Sequence, residues 1–167
     1  SAASDVYKRQ LLGKLLKVRW QLRRKKVQAI LDMPENKDRE KVQCMRLIVT
    51  LCSSSLLSYN QSLFGISVLT NVQLSLKYGN SPESALAYAS YGVFCEGVLQ
   101  DTQKSQEMTE LAMTLDQRLG DSTLRSSVWF IVATFIHSWS NPKKAYDLLE
   151  DAVKVGMNVG NMFDLSY

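Results

Sequence analysis

At 167 residues, with 46% hydrophobic and 22% charged side chains, the chain has the size and composition of one ordinary globular domain. Its most apolar run, the nine residues from Val128 to Ile136, is far shorter than the roughly 18 that a membrane-spanning helix needs. Three scattered cysteines and one histidine argue against a disulfide framework or a zinc site and favour a reduced, cytoplasmic setting. We therefore expect no membrane insertion, no metal and no cofactor.

The first ten residues are interpreted separately from the rest of the chain. Residues 5–10 read Asp-Val-Tyr-Lys-Arg-Gln, the translation of GAT GTG TAT AAG AGA CAG, which is the mosaic end of a transposon-based sequencing adapter. Residues 1–10 are therefore interpreted as adapter-derived read-through and not as native protein. The alternative is a native N-terminal arm. Because only seven residues follow Gly160, where another hairpin is expected to open, we interpret the chain as an internal fragment of a larger protein.

A strongly basic connecting segment occupies residues 11–36. A helix is predicted over residues 11–32, ending before Pro34, because proline disfavours helical geometry in the residue before it. Residues 11–26 hold seven basic and no acidic side chains, whereas residues 27–167 hold 11 basic and 15 acidic ones, for a net charge of −4. Such a helix can meet nucleic acid, an anionic membrane surface or an acidic domain. The broad apolar stripe on the same segment favours a solvated helix face over nucleic-acid binding. The candidate docking residues are Arg23, Arg24, Lys25 and Lys26.

Capping residues divide residues 37–167 into further helices. Helices are predicted from Asp38, from Asn60 to about Tyr78, from Pro82 to about Leu99, from Asp101 to Gly120, from Asp121 to Asn141, from Pro142 to Gly160, and from Asn161 onward. Gly79 is expected to supply a left-handed turn and Ser81 to cap the helix that Pro82 begins. No segment shows the strict alternation of a strand, so the fold is predicted to be all-α.

Residues recurring at a spacing of 40 predict stacked helical hairpins. The equivalent pairs are Asp101/Asn141, Ser105/Ala145, Ala112/Ala152 and Gly120/Gly160, and the loop triplets 79–81 and 119–121 also fall in register. A hairpin cannot bury its apolar face alone, so residues 37–167 are predicted to form a right-handed α-solenoid of tetratricopeptide-like hairpins, truncated at the C-terminus. The spacing of Ala145, Leu149 and Ala152 is typical of the second helix of such a repeat. The predicted turn and close-approach positions are Gly79, Pro82, Gly92, Ala112, Gly120, Pro142, Ala145, Ala152 and Gly160.

Several segments together resemble one family of large signalling proteins. The segments are Trp20–Arg23, Ile30–Pro34, Met45–Ile48, Leu74–Pro82, Ser84–Tyr88, Tyr91–Gly92, Glu110–Ala112, Phe135–Trp139 and Gly156–Gly160. They are similar to the helical-repeat region of bacterial and protist proteins that join a serine/threonine-kinase-like domain, an AAA-type ATPase domain, this region, and then sensor and histidine-kinase or cyclase modules. The resemblance covers nearly all of residues 11–167, and its most specific stretch is Tyr78–Pro82. Asn161 stands where the family prefers Asp.

No residue pattern indicates catalysis in this chain. His137, the single histidine, is expected to be a core or interface residue bonded to a backbone carbonyl, because no nucleophile or acidic partner accompanies it. A Gly-x4-Gly-Lys-Ser/Thr loop for nucleotide phosphates is absent from the sequence. Most of the aromatic residues in the middle hairpins are expected to lie in the core, but Tyr88 and Tyr91 are also candidate recognition residues, since tyrosine is enriched in binding surfaces. Glutamines 100, 103, 106 and 117 supply polar groups that are able to read a peptide.

Two functions from different classes follow. The resemblance implies a non-enzymatic helical-repeat segment of a multidomain signal-transduction ATPase/kinase of the two-component type. Its partners would be the ATPase domain upstream and the sensor and kinase modules downstream in the same polypeptide, together with a protein or peptide ligand. The alternative is a free-standing adaptor that binds peptide or nucleic acid, like the repeat region of an ATP-dependent transcription activator.

Overall fold

The part of the chain that the structure describes is all-helical, which confirms the all-α class that the sequence predicts, while the predicted solenoid stays a prediction. The structure is a computed structural model, and it describes residues 2–120, 122–137 and 141–160. Within these residues there are eight α-helices and no strand. The chain divides into two compact units, Ser1–Ala87 and Tyr88–Tyr167.

The helices follow one another through short connections. They are α1 Ala2–Arg24, α2 Val27–Leu31, α3 Arg39–Leu57, α4 Gln61–Tyr78, α5 Pro82–Phe94, α6 Thr102–Leu119, α7 Ser122–Ile131 and α8 Pro142–Val159. Two helices continue into π-helical turns, α5 into Cys95–Leu99 and α7 into Val132–His137. The predicted helix opener Asp121 and the predicted last helix from Asn161 lie outside the described residues.

Three of the described helices share one length and one pair of caps. α4, α6 and α8 each contain 18 residues. The side chains of Asn60, Asp101 and Asn141 accept a hydrogen bond from the backbone N–H three residues later, at 3.1, 3.0 and 3.1 Å. Each bond satisfies one of the N–H groups that the start of a helix leaves without a partner. A glycine with positive φ follows the last residue of each helix. These caps confirm the predicted helix boundaries.

The caps also repeat along the chain. Asp101 and Asn141 are 40 residues apart, as predicted, and so are Gly120 and Gly160, which both adopt the left-handed conformation. Asn60 precedes Asp101 by 41 residues, and Gly79 precedes Gly120 by the same interval. Gly79 is therefore equivalent to Gly120, and the register of 40 that we predicted for the loop triplets is one residue off.

Gly79 does not form the left-handed turn that the sequence predicts. Its φ and ψ are 102° and 175°, so the chain leaves α4 in an extended conformation and pairs with the segment before α3. The N–H of Asn80 donates to the carbonyl of Pro34 at 3.0 Å, and the N–H of Asn36 donates to the carbonyl of Asn80 at 2.7 Å. A Cβ at Gly79 would collide with the Pro34 carbonyl, so this contact accepts only glycine.

Ser81 does not act as the predicted side-chain cap of α5. Its hydroxyl donates to the sulfur of Met45 at 3.9 Å. The hydroxyl of Ser84 instead accepts the hydrogen bond from the Ser81 N–H, at 3.0 Å. Pro82 does occupy the first helical position, as expected. The Ser84 hydroxyl thus satisfies the N–H of the residue before α5, while the Ser81 hydroxyl contacts Met45 inside the first unit.

The single helix predicted over residues 11–32 is wrong in two respects. α1 begins at Ala2, within the residues interpreted as read-through, and the helix breaks at Lys25 and Lys26. Lys26 has an extended backbone, with φ −68° and ψ 150°, and α2 starts after it. α1 packs on α4, and α3 packs on α4 as a hairpin, so α4 lies at the centre of the first unit.

Buried polar groups join the helices of the first unit. The side-chain N–H of Asn71 on α4 donates to the Met45 carbonyl at 3.2 Å, and that of Asn80 donates to the Ile30 carbonyl at 2.6 Å. Glu83 on α5 has no exposed side-chain surface, and its Oε1 lies 3.0 Å from Nε and 2.9 Å from an Nη of Arg46 on α3. Burial of a carboxylate is tolerated because the guanidinium compensates its charge.

The second unit is assembled from α6, α7, α8 and the two π-helical turns, which contact one another. Buried Asp116 on α6 accepts hydrogen bonds from Arg125 Nε at 3.0 Å and from Trp129 Nε1 at 3.2 Å, both on α7. Small residues are buried at predicted close-approach positions, namely Gly92, Ala112, Ala145 and Ala152.

The first prediction concerns Gly92. A Cβ there would lie 3.2 Å from the Ser105 carbonyl oxygen, which the backbone of α6 holds in place, whereas a Cβ at Gly97 meets nothing within 4 Å. We expect Gly92→Leu to lower the free energy of unfolding by about 1–3 kcal/mol through overpacking. The matched variant Gly97→Leu should change it by less than about 1 kcal/mol. Urea denaturation followed by circular dichroism measures both, and equal midpoints would show that α5 and α6 do not approach closely at Gly92.

The second prediction concerns the Arg46–Glu83 pair. Arg46→Leu leaves a buried carboxylate without its cation, which should lower the free energy of unfolding by about 2–3 kcal/mol. The loss stays below that of a fully enclosed pair, because the Arg46 side chain is 51% exposed. The double variant Arg46→Leu/Glu83→Met should regain most of the stability, since no buried charge remains. Urea midpoints that are equally low for the single and the double variant would contradict this account.

Candidate functional site

The side of α1 that faces away from α4 presents large apolar side chains. Val18 and Leu22 are buried in the first unit, whereas Leu12, Leu16 and Trp20, spaced four residues apart, are 56%, 60% and 56% exposed. Side chains four residues apart lie above one another on one side of a helix. Leu12, Leu16 and Trp20 therefore form a continuous stripe. We call this stripe, together with the basic side chains beside it, the α1 face.

The basic side chains of the α1 face come from the basic segment at the end of α1 and just after it. Arg23 and Arg24 are exposed, and the Arg24 guanidinium carbon lies 4.2 Å from the ring centroid of Trp20, in a cation–π arrangement. Lys26 is exposed at the helix break, while Lys25 is half-buried and donates to the Met33 sulfur at 3.5 Å. Of the four candidate docking cations, Arg23, Arg24 and Lys26 are therefore presented to solvent, and Lys25 is turned towards its own chain.

Tyr88 and Tyr91 do not lie on a recognition surface. Both side chains are buried on α5. The ring of Tyr91 stacks on Phe94 with centroids 6.4 Å apart. The hydroxyl of Tyr88 has no hydrogen-bond partner among the described residues, and burial raises the pKa of this phenol above its ordinary range. The two tyrosines are core residues, which corrects the expectation that they read a ligand.

A groove of about 640 Å³ opens on the second unit. One side of α6 contributes Thr102, Ser105, Gln106, Thr109, Glu110, Met113, Thr114 and Gln117, at the spacing of three and four residues that marks one helix face. The remaining lining comes from Glu96 of the first π-helical turn, Phe135 and Ile136 of the second, and Lys144 and Leu148 of α8. Both π-helical turns of the described chain thus contribute to the same groove.

The two sides of the groove differ in chemistry. The α6 side is mainly polar, whereas Phe135, Ile136 and Leu148 make the opposite side mainly apolar. Thr102 donates its hydroxyl hydrogen to Glu96 Oε1 at 3.2 Å, which links the start of α6 to the first π-helical turn. Gln106 and Gln117, two of the four glutamines predicted to read a peptide, line the groove. Both side chains are exposed. The π-helical turns have no counterpart in the sequence pattern.

Two further observations concern metal ligands and membrane-spanning helices. Within residues 2–120, 122–137 and 141–160, no three His, Cys, Asp or Glu side chains are placed to hold a metal ion. In the same ranges, no helix is long and apolar enough to cross a membrane. The side chain of His137, for which we expected a core or interface role, lies outside the description.

No family model, curated protein or solved structure matches this chain. The resemblance to the helical region of signalling ATPases therefore stays a prediction, and the local geometry of the α1 face and of the groove carries the functional argument.

The third prediction concerns residues 1–10. Residues 5–10 are all exposed along the first turns of α1. Deleting residues 1–10 should therefore shift the melting temperature by less than about 2 °C, given that 1 kcal/mol moves the midpoint of a chain of this size by about 2–4 °C. Val18→Ala, a truncation in the buried part of α1, is the comparison and should lower the midpoint by several times as much. A fall of several degrees on deletion would show that this arm packs against the rest of the chain.

Proposed function

We propose that this chain is a non-enzymatic helical-repeat segment of a multidomain signal-transduction ATPase/kinase, and that its α1 face docks on the neighbouring nucleotide-binding domain. In this proposal the hairpins form a tetratricopeptide-like solenoid that links the ATPase domain to downstream sensor and output modules. The observation that carries the docking proposal is the exposed stripe of Leu12, Leu16 and Trp20 beside Arg23 and Arg24.

The apolar stripe favours a protein partner. Contiguous exposed apolar patches mark interaction sites, and Leu12, Leu16 and Trp20 stand together at more than half exposure. Burying one such side chain fully is worth about 1.5–3 kcal/mol, so Leu12, Leu16 and Trp20 supply the main source of affinity. Tryptophan and arginine are also the residues most enriched in binding hot spots.

The basic side chains orient the partner and raise the rate of association. Exposed charges contribute little affinity individually, but they attract an acidic surface over a distance that salt shortens. Residues 11–26 carry seven basic and no acidic side chains, so the expected partner surface is acidic with an apolar centre.

The repeated caps support the solenoid. α4, α6 and α8 have equal lengths and the same Asn or Asp cap, and a glycine follows each of them at intervals of 41 and 40 residues. Stacked repeats are built from such equal units, which present long surfaces for partners.

A nucleic-acid-binding adaptor is the second candidate, and the exposed cations of α1 are the observation that favours it. Contacts with phosphate groups need only basic side chains. Nucleic-acid binding would therefore leave Leu12, Leu16 and Trp20 exposed to water. The docking proposal uses both the apolar and the charged half of the α1 face.

The fourth prediction tests the docking proposal with the full chain and the nucleotide-binding domain that we expect upstream in the intact reading frame. Trp20→Ala should raise the Kd about 30-fold, as expected for a hot-spot residue worth about 2 kcal/mol. Arg23→Glu/Arg24→Glu should raise it about tenfold at low salt and less at high salt, because salt screens the exposed charges. Isothermal titration calorimetry at two salt concentrations measures these effects.

The matched control is Lys37→Glu/Lys143→Glu, which makes the same charge change at exposed residues that do not belong to α1 and should leave the Kd within about twofold. An intact frame without a nucleotide-binding domain, or an unchanged Kd for Trp20→Ala, would contradict the proposal. Retention of arbitrary duplex DNA at physiological salt, without affinity for the upstream domain, would support the adaptor instead.

A further inference from the structure

We propose that the groove along α6 is a second binding site, which takes an extended peptide of about six residues with basic side chains between apolar ones. The site is independent of the α1 face, because every residue that lines it belongs to residues 96–148. Its occupant follows from the length, hydrogen-bonding groups and charge of the groove.

The length of the groove gives the length of an extended segment that would fill it. The α6 side of the groove runs from Thr102 to Gln117, which at 1.5 Å per residue is about 22 Å. An extended chain covers that distance with six or seven residues at about 3.3 Å each.

The polar side of the groove suits an extended backbone. An extended peptide has N–H and C=O groups without internal partners, and these need hydrogen bonds when they leave water. Gln106 and Gln117 are exposed on this side, and each amide offers both donors and an acceptor. The Thr114 hydroxyl donates to the Glu110 carbonyl at 2.8 Å, so its oxygen is directed to accept. At the floor, the buried Ser105 hydroxyl has no partner among the described residues.

The apolar side determines the spacing of the side chains in the peptide. Successive side chains of an extended chain point in opposite directions. Every second residue is therefore directed towards Phe135, Ile136 and Leu148, and aliphatic or aromatic side chains fit there. Phe135 is 39% exposed, and a ligand would cover it.

The charge of the groove and of its surroundings selects basic residues between the apolar ones. Two carboxylates, Glu96 and Glu110, line the groove against one ammonium group, that of Lys144. Residues 88–167 as a whole hold six basic and ten acidic side chains, for a net charge of −4. A peptide with lysine or arginine meets a complementary field, and an acidic peptide meets a repulsive one.

The position of the π-helical turns is a further, independent indication of a site. π-Helical turns are rare, and they occur often at functional sites. Within the described residues both of them reach this groove, through Glu96 in one case and through Phe135 and Ile136 in the other.

The fifth prediction is tested with the full chain and a degenerate heptapeptide library that has Leu, Ile, Val or Phe at alternate positions and all residues between them. Selection should enrich lysine and arginine at the intervening positions. Fluorescence anisotropy with an enriched peptide should give a micromolar Kd, which Glu110→Lys raises by about tenfold or more. Asp147→Lys, which makes the same charge change on α8 outside the groove, should leave the Kd within about twofold.

Two variants that introduce no new charge separate a loss of binding from a loss of folding. Glu110→Gln should weaken binding less than Glu110→Lys, and Phe135→Ala should weaken it without changing its salt dependence, because no charge is removed. Circular dichroism checks that each variant keeps its helices. Absence of any enriched peptide, selection of acidic peptides, or an unchanged Kd for Glu110→Lys would each overturn the proposal. Trp20→Ala should leave peptide binding intact, which separates this test from that of the α1 face.

Discussion

The hydrogen bond from a backbone N–H in the first helical turn to an Asn or Asp side chain is the interaction on which the rest of the structure depends. It determines where α4, α6 and α8 begin, and the glycine after each helix determines where it ends. Each of these helices is therefore about 27 Å long. Every side chain between the two caps has a defined direction, and the polar side of the groove along α6 follows from this.

The helix ends are predictable from the sequence, because a capping side chain and its N–H partner lie three residues apart. Other features depend on residues that are distant along the chain. The backbone of Gly79 passes so close to the Pro34 carbonyl that only glycine fits there. The segment between α1 and α3 is held by the hydrogen bond from Asn80 to Ile30, which are 50 residues apart. The lysines at 25 and 26 favour helix by propensity, yet the helix breaks there, just before the segment that this contact holds.

The candidate sites are predictable only in part. The charge of the α1 face is visible in the sequence, but the segment holds many apolar residues, and only its packing on α4 distinguishes buried Leu22 from exposed Leu16 and Trp20. Composition leaves Tyr88 and Tyr91 open as core or recognition residues, whereas the small residues around them, Ala85, Ala87, Ala89 and Gly92, are typical of an interior. The groove had no signal beyond its glutamines, because no residue type marks a π-helical turn.

The π-helical turns also affect how the groove can change over evolution. A π-helical turn holds one residue more than an α-helical turn spanning the same height. Losing a single codon within Cys95–Leu99 would restore α-helical spacing there and change the directions of the side chains within this turn, that of Glu96 among them. α6 would keep its length and its caps, because it starts afresh at Asp101. The edge of the groove that carries Glu96 is thus open to replacement by insertion and deletion, while the side formed by α6 changes only by substitution.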